Sequence, residues 1–599
     1  MKADSKVDLN GATLLDAGQV EFRVWAPAAD QVTLKLWRNG QAEPEIYRMR
    51  RLGSSDFGMP DFDEPDADTW MLTTAASAGD LYQYQIGELS IPDPVSRHLP
   101  EGVHGRTEIV DPSSFAWTDH QWHGIPLEQY VIYELHVGTF TPGGTLDSAI
   151  EKLDYLRQLG VTAIEVMPVN AFPGKHNWGY DGVGLYAVQN SYGGPEAFRR
   201  FVNEAHARGL AVLLDVVYNH LGNEGNYLSQ FGPYFTDKHR TPWGSAVNYY
   251  DQGCAAVRRF VVENALYWIR EYHLDGLRLD ATQTIKDDSE VHIVREVAER
   301  VHQLARELQR TVVVTCETDE NDSRYVLPVG EGGFGADAVW SDDFHHAIHV
   351  LLTHESAGYY QDFDDPKLLT RALNEGYAFQ GEHFKFWQNK RGTPAVGVPL
   401  PANIICIQNH DQIGNRARGE RLSCLVPRGA QKMTAAVLLL APHTPLLFQG
   451  QEYGEENPFQ FFTDFGDPVL QKAVCDGRRT EFKDFDFTQI PDPQDPATFE
   501  RSRLQWSQDP PHLDMLDWYK KLLRIRREIV VNSPRTCRAE WIDDRTLKMQ
   551  VPAENPRLLL SAGLGCELRY LPGAGWELLM ESNEDDYCMR IWHPAPLAL

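Results

Sequence analysis

Up to about residue 110, apolar and polar residues alternate over short runs, as in VEFRVWAPAADQVTLKLW and DLYQYQIG, with Gly, Pro and Asp between them. Period-two alternation broken by turn formers predicts short, half-buried strands, hence a small β-sandwich over residues 1–110. A proline-bearing connector, IPDPVSRHLPEGVHGRTEIVDPSSFAW, then leads into a different rhythm. Eight short apolar runs follow: YVIYELHVGTF, VTAIEVMPV, LAVLLDVVYN, DGLRLDA, TVVVTCE, DAVWSDD, NIICIQNHD and TPLLFQG. Between them lie segments such as GPEAFRRFVNEAHARG and SEVHIVREVAERVHQLARELQ, whose apolar residues recur every three or four positions and predict helices. Eight strand–helix units predict an α/β domain, a closed (β/α)8 TIM barrel over residues 111–532, with an open doubly wound sheet as the alternative. After a last helical segment, LDMLDWYKKLLRIRREIV, alternation returns in RTLKMQV, RLLLSAG and GWELLM, which predicts a small all-β domain over residues 533–599.

Charge narrows the partners. Fifty-six basic residues against 85 acidic ones leave a net charge of −29, which repels nucleic-acid phosphates and anionic membrane surfaces, so neither is expected as a partner. The amino terminus lacks an apolar signal core, and no apolar run is long enough to span a bilayer; a soluble cytoplasmic protein is expected. Eight scattered cysteines without a CxxC pair point to buried free thiols rather than to zinc or disulfides.

Candidate chemistry sits where the apolar runs end, because the carboxyl ends of barrel strands carry the site. In LDGLRLDAT, Arg278 and Asp280 are two apart, so they share one face of a strand and can pair inside the lumen. A neighbouring arginine is expected to keep Asp280 ionised, as a nucleophile requires, although a structural ion pair leaves the same trace. LLDVVYNH closes on His220 after Asp215, VVVTCE on Glu317, and IICIQNHD on His410 and Asp411. Acidic groups converging from strands four, five and seven suggest glycoside chemistry. Metal binding by His220, His410, Asp280 and Asp411 is the competing reading, weakened by the absence of HxH or HExxH and by Arg278 beside the central aspartate.

In order and spacing, DVVYNH, DGLRLDAT, TCE and QNHDQIGN resemble the signature regions of the α-amylase family of retaining glycoside hydrolases. The resemblance spans the whole barrel, and its glycogen-type members look alike in carrying an Ig-like β-sandwich before it and a small β domain after it. It implies Asp280 as nucleophile, Glu317 as general acid/base and Asp411 as the carboxylate that steadies the transition state. It also implies Arg278, His220 and His410 around the cleaved sugar ring and Tyr180, in WGYDG, beneath it; Asp181, next to it, is expected to bind substrate. Leu277, where the family commonly has Phe, is the departure in the central motif.

Longer segments, among them DPVSRHLPEGVHGRTEIVD, GPYFTDKHRTPWGSAVNYYD, VWSDDFHHAIHVLLT, QNHDQIGNRARGERL and QGQEYGEENPFQFFTDFGDPVL, are similar to those of the family's trehalose-releasing members. That similarity implies maltooligosyl trehalose and related α-1,4-glucans as substrates, no cofactor, and a maltooligosyltrehalose-forming synthase acting alongside. Gln412 and Asn415 in QNHDQIGN are expected to bind substrate. In WSDDFHH, Asp343, His345 and His346 offer acceptors and donors to sugar hydroxyls, with a helix N-cap role for Asp343 equally open. Glycogen branching or debranching enzymes share the layout, and a glucan-binding scaffold with an inert barrel is the non-enzymatic alternative. All three acids of an active barrel are present.

Overall fold

The computed structural model describes residues 10–52, 68–481, 490–565, 568 and 570–595. The first nine residues of the expected sandwich and Cys566 lie outside the described residues.

Eight parallel strands close into a barrel in chain order: β1 (Ile132–Leu135), β2 (Ala163–Val166), β3 (Ala211–Val216), β4 (Gly276–Leu279), β5 (Val313–Glu317), β6 (Ala338–Trp340), β7 (Asn403–Cys406) and β8 (Thr444–Phe448). Each falls inside one of the eight apolar runs, and β8 pairs back onto β1, which rules out the open sheet. Pairing register decides what faces inward. Arg278 on β4 stands opposite Asp215 on β3 and Thr315 on β5. Alternation then puts residues 276, 278 and 280 on the lumen side and Leu277 on the outer side, buried against the helical layer, so the family departure at Leu277 does not touch the site. Deep in the lumen, Ile132, Ala163, Leu213, Val313, Ala338 and Ile404 form an apolar plug on which the polar layer rests. Gly276 is needed there, since a Cβ would come within 2.5 Å of the Val313 carbonyl oxygen.

The outer helices follow the expected spacing. Ile293–Leu308 buries Val294, Val297, Ala298, Val301, Leu304 and Ala305, one continuous stripe. Before the barrel stand two antiparallel sheets whose facing residues include Phe22 and Tyr82, in edge-to-face contact at 5.0 Å. The first packs onto the barrel side through Trp25 against Tyr234. After the barrel comes a five-stranded antiparallel sheet, in the order Arg538–Trp541, Thr546–Val551, Leu558–Leu564, Tyr587–Pro594, Trp576–Glu584.

The connector is fastened beneath the barrel by a buried charge relay. Both ring nitrogens of His206 meet carboxylates, Asp119 at 2.9 Å and Asp275 at 2.8 Å, and Asp275 also accepts from the Trp122 indole. Burial opposes a charge on His206, yet the two carboxylates outweigh it and raise its pKa. The cysteines depart from expectation in part: Cys316, Cys406 and Cys537 are buried free thiols and Cys588 is buried, but Cys254 and Cys475 are partly exposed and Cys424 is exposed. Among the described residues no helix is long and apolar enough to cross a membrane.

Candidate active site

The polar layer at the carboxyl ends of the strands is organised by one guanidinium. Arg278 lies wholly buried, its guanidinium carbon 4.4 Å from the centre of the Trp340 ring on β6, and it meets three carboxylates: Asp215 at 2.8 Å, Asp280 at 2.7 Å and Glu317 at 2.9 Å. A planar fork with five donors can bridge strands three, four and five in this way, which a lysine could not. The expected ion pair is therefore shared. Its electrostatic outcome also differs from expectation: burial raises the Asp280 carboxyl to about 6, with the Asp215 charge adding to it, and Arg278 only moderates the rise. Asp280 nonetheless remains mostly ionised at neutral pH.

Glu317 ends β5 and stays partly exposed. Burial raises its pKa, Arg278 opposes this and the Asp280 charge adds to it, which suits a group that must hold a proton. Its Oε2 accepts from the backbone N–H of Ala281 at 2.7 Å. Ala281 directly follows Asp280 and sits at φ 39°, a left-handed conformation that costs a non-glycine residue on the order of 1–3 kcal/mol. The strained turn aims that N–H at the acid.

Asp411 lies in the first turn of the short helix His410–Gly414, whose cap Asn409 accepts from the Gln412 N–H. Its Oδ1 accepts from Asn415 at 2.6 Å. His410 is fixed from below by Glu134 on β1, which accepts from both its backbone N–H and its ring Nδ1. The Tyr180 hydroxyl bridges Asp215 at 2.6 Å and His410 Nε2 at 2.8 Å, while its ring stacks on the His410 imidazole. His220 touches the Tyr180 carbonyl through Nε2. Asp181 accepts from Asn177 at 2.7 Å. Asp280, Glu317, Asp411, Arg278, Tyr180, His220, His410, Gln412 and Asn415 are thus gathered at one end of the barrel.

The WSDDFHH segment is where the structure departs most. Asp343 is neither at the rim nor a helix cap; Ser341 holds the cap position of the helix Asp342–Thr353. The Asp343 carboxylate is fully buried against Arg391 at 2.8 Å and accepts from Asn321 and the Ala378 N–H, so it anchors neighbouring loops. His345 and His346 are also buried; they join Tyr359 and Tyr360 in a stacked aromatic layer. Instead Asp342, one residue earlier, faces the acids.

Other residues were missed by sequence reasoning. Glu134 and Glu165 are single charges within apolar strands, the same signal that drew notice to Arg278. Trp243, 40% exposed at the tip of the hairpin Phe235–Thr241/Gly244–Val247, lies flat on His220 with rings 4.1 Å apart. No spacing rule could have brought a hairpin tip there. Among the described residues no three His, Cys, Asp or Glu groups converge as ligands for a metal ion.

The family described as "Alpha amylase, catalytic domain" matches residues 109–243 and 248–529. The chain belongs to the α-amylase family. Among α-amylase relatives, a malto-oligosyltrehalose trehalohydrolase from Saccharolobus solfataricus is 46% identical over 515 residues, which cover 86% of each chain. Another of that name, from Mycobacterium tuberculosis, is 38% identical over 573 residues, covering 93% of this chain and 94% of its own. A crystal structure of a candidate alpha amylase from Salmonella typhimurium has a TM-score of 0.87 at 38% identity, over 98% of this chain and 99% of that one.

Proposed function

We propose that this member of the α-amylase family is a retaining glycoside hydrolase that cuts maltooligosyl trehalose at the α-1,4 bond next to the terminal trehalose. The observation that carries the chemistry is the single Arg278 guanidinium held by Asp280 and Glu317 together, from adjacent strands. Two carboxyls so disposed flank one bond. Asp280 attacks the anomeric carbon while Glu317 gives its proton to the departing oxygen, releasing trehalose and leaving the sugar esterified to Asp280. Water then attacks the same carbon, its proton passes to Glu317, and the ester breaks to free Asp280 and a shortened maltooligosaccharide. Two inversions give net retention.

Asp411 binds ring hydroxyls and steadies the oxocarbenium-like transition state, and Tyr180, His220 and His410 surround that ring. Asp181, Gln412 and Asn415 hold these groups or reach the sugar. The trehalose end is supported by relatives bearing the trehalohydrolase name across most of the chain. Such an end must first be made from a reducing glucan, so a synthase of that kind is proposed to act before it, in a cytoplasmic setting. Incubation with maltotriosyl trehalose and, separately, amylose tests the substrate. Free trehalose from the first is expected; α-1,6 branches in the amylose with no trehalose from the first would make it a branching enzyme.

A further inference from the structure

Asp342 has no place in the chemistry above, yet it stands among the acids. It stands two residues past the end of β6, after the extended Ser341, so the alternation of residues 338, 340 and 342 keeps it on the lumen side with Trp340, whose ring covers Arg278. It is partly exposed, unlike its buried neighbour Asp343. Of the surrounding charges, that of Glu317 acts on it most strongly, ahead of the opposing Arg391 and then Asp411. Strand order agrees: β4 carries the nucleophile, β5 the acid and β6 Asp342. A sugar whose anomeric carbon meets Asp280 and whose departing oxygen meets Glu317 therefore has its leaving portion on the Asp342 side.

Two further observations mark that place as a sugar subsite. Gln412, only 9% exposed, donates through Nε2 to Asp342 Oδ1 over a long 3.3 Å, and its amide oxygen has no hydrogen-bond partner. A buried amide with half of its capacity unmet is costly unless something else completes it. Near Asp342 lies the partly exposed ring of Tyr359, whose hydroxyl is raised first by burial and then by the Asp411 and Asp342 charges. An aromatic face next to paired polar groups suits the apolar face and hydroxyl edge of a glucose unit.

We propose that Asp342, bracketed by Gln412 and Tyr359, is a specificity-determining residue that binds hydroxyls of the leaving glucose unit. Burial, with the Glu317 charge adding to it, pushes its carboxyl up to about 8, so near neutral pH it donates a hydrogen bond to a sugar oxygen without placing a second negative charge beside the general acid. That the leaving unit is half of a trehalose rests on the proposed function; that Asp342 reads the leaving unit does not.

The test compares Asp342→Ala with wild type on two substrates. The group that leaves maltotriosyl trehalose is a sugar, trehalose, whereas the group that leaves α-maltotriosyl fluoride is fluoride ion, which fills none of the leaving subsite. Loss of a group that hydrogen-bonds the leaving sugar should lower kcat/KM on the first by about 10- to 100-fold. On the fluoride the loss should stay below about 3-fold, within the range of a surface change. Equal losses on both substrates, or no loss on the first, would overturn the role of Asp342. Maltohexaose run in parallel separates the two readings: a wild type that prefers maltohexaose to maltotriosyl trehalose overturns the trehalose reading. The Asp342 role then stands or falls on the same sugar-to-fluoride ratio measured with maltohexaose.

Discussion

Asp280→Asn is expected to lower turnover of maltotriosyl trehalose by about 10⁴-fold or more, because an amide keeps the shape of the carboxylate but cannot form the glycosyl ester. The fold should survive. Arg278 keeps Asp215 and Glu317 as partners, and the introduced amide can still accept from its guanidinium through the amide oxygen. Thermal unfolding within a few degrees of wild type, measured beside the rate, separates lost chemistry from lost structure. Since Asp280 must be ionised to attack and its pKa is raised to about 6, the wild-type rate should fall as pH drops through that value. A purified variant within tenfold of wild type would remove Asp280 from the mechanism.

Glu317→Gln should be the next most damaging change, and selectively so. A positioned general acid contributes about 10²- to 10⁴-fold, so the loss on maltotriosyl trehalose should lie in that range. On α-maltotriosyl fluoride, whose leaving group needs no proton, the loss should be much smaller for the first step. The raised pKa of Glu317 adds a pH signature: the wild-type rate on the natural substrate falls as pH rises through that pKa, and the variant lacks this alkaline limb on the fluoride. Equal losses on both substrates would assign Glu317 to structure.

Much of this arrangement was legible because the barrel writes itself into the chain. Each of the eight strands is a short apolar run, and a charge that interrupts one has to face the lumen or find a partner, as Arg278 and Asp280 do. The rule reached less far where position depends on side-chain competition. Asp342 and Asp343 are adjacent and chemically identical, and only their places in the first turn of the helix after β6 set the first toward the acids and the second against Arg391. The raised pKa of Asp280 has no trace in the sequence for a related reason: sequence shows its arginine but neither the two other carboxylates sharing it nor the depth of burial. Trp243 reaches His220 only because a hairpin inserted after β3 folds back over the site, a contact with no local trace.

The most direct test of the central claim is time-resolved ¹H NMR of maltotriosyl trehalose during hydrolysis, with the enzyme in sufficient amount to outrun mutarotation. Trehalose and the α-anomer of maltotriose should appear together from the first spectra, with the β-anomer growing in only later. Maltotriose appearing first as the β-anomer, or glucose and maltose appearing in place of trehalose, would contradict it.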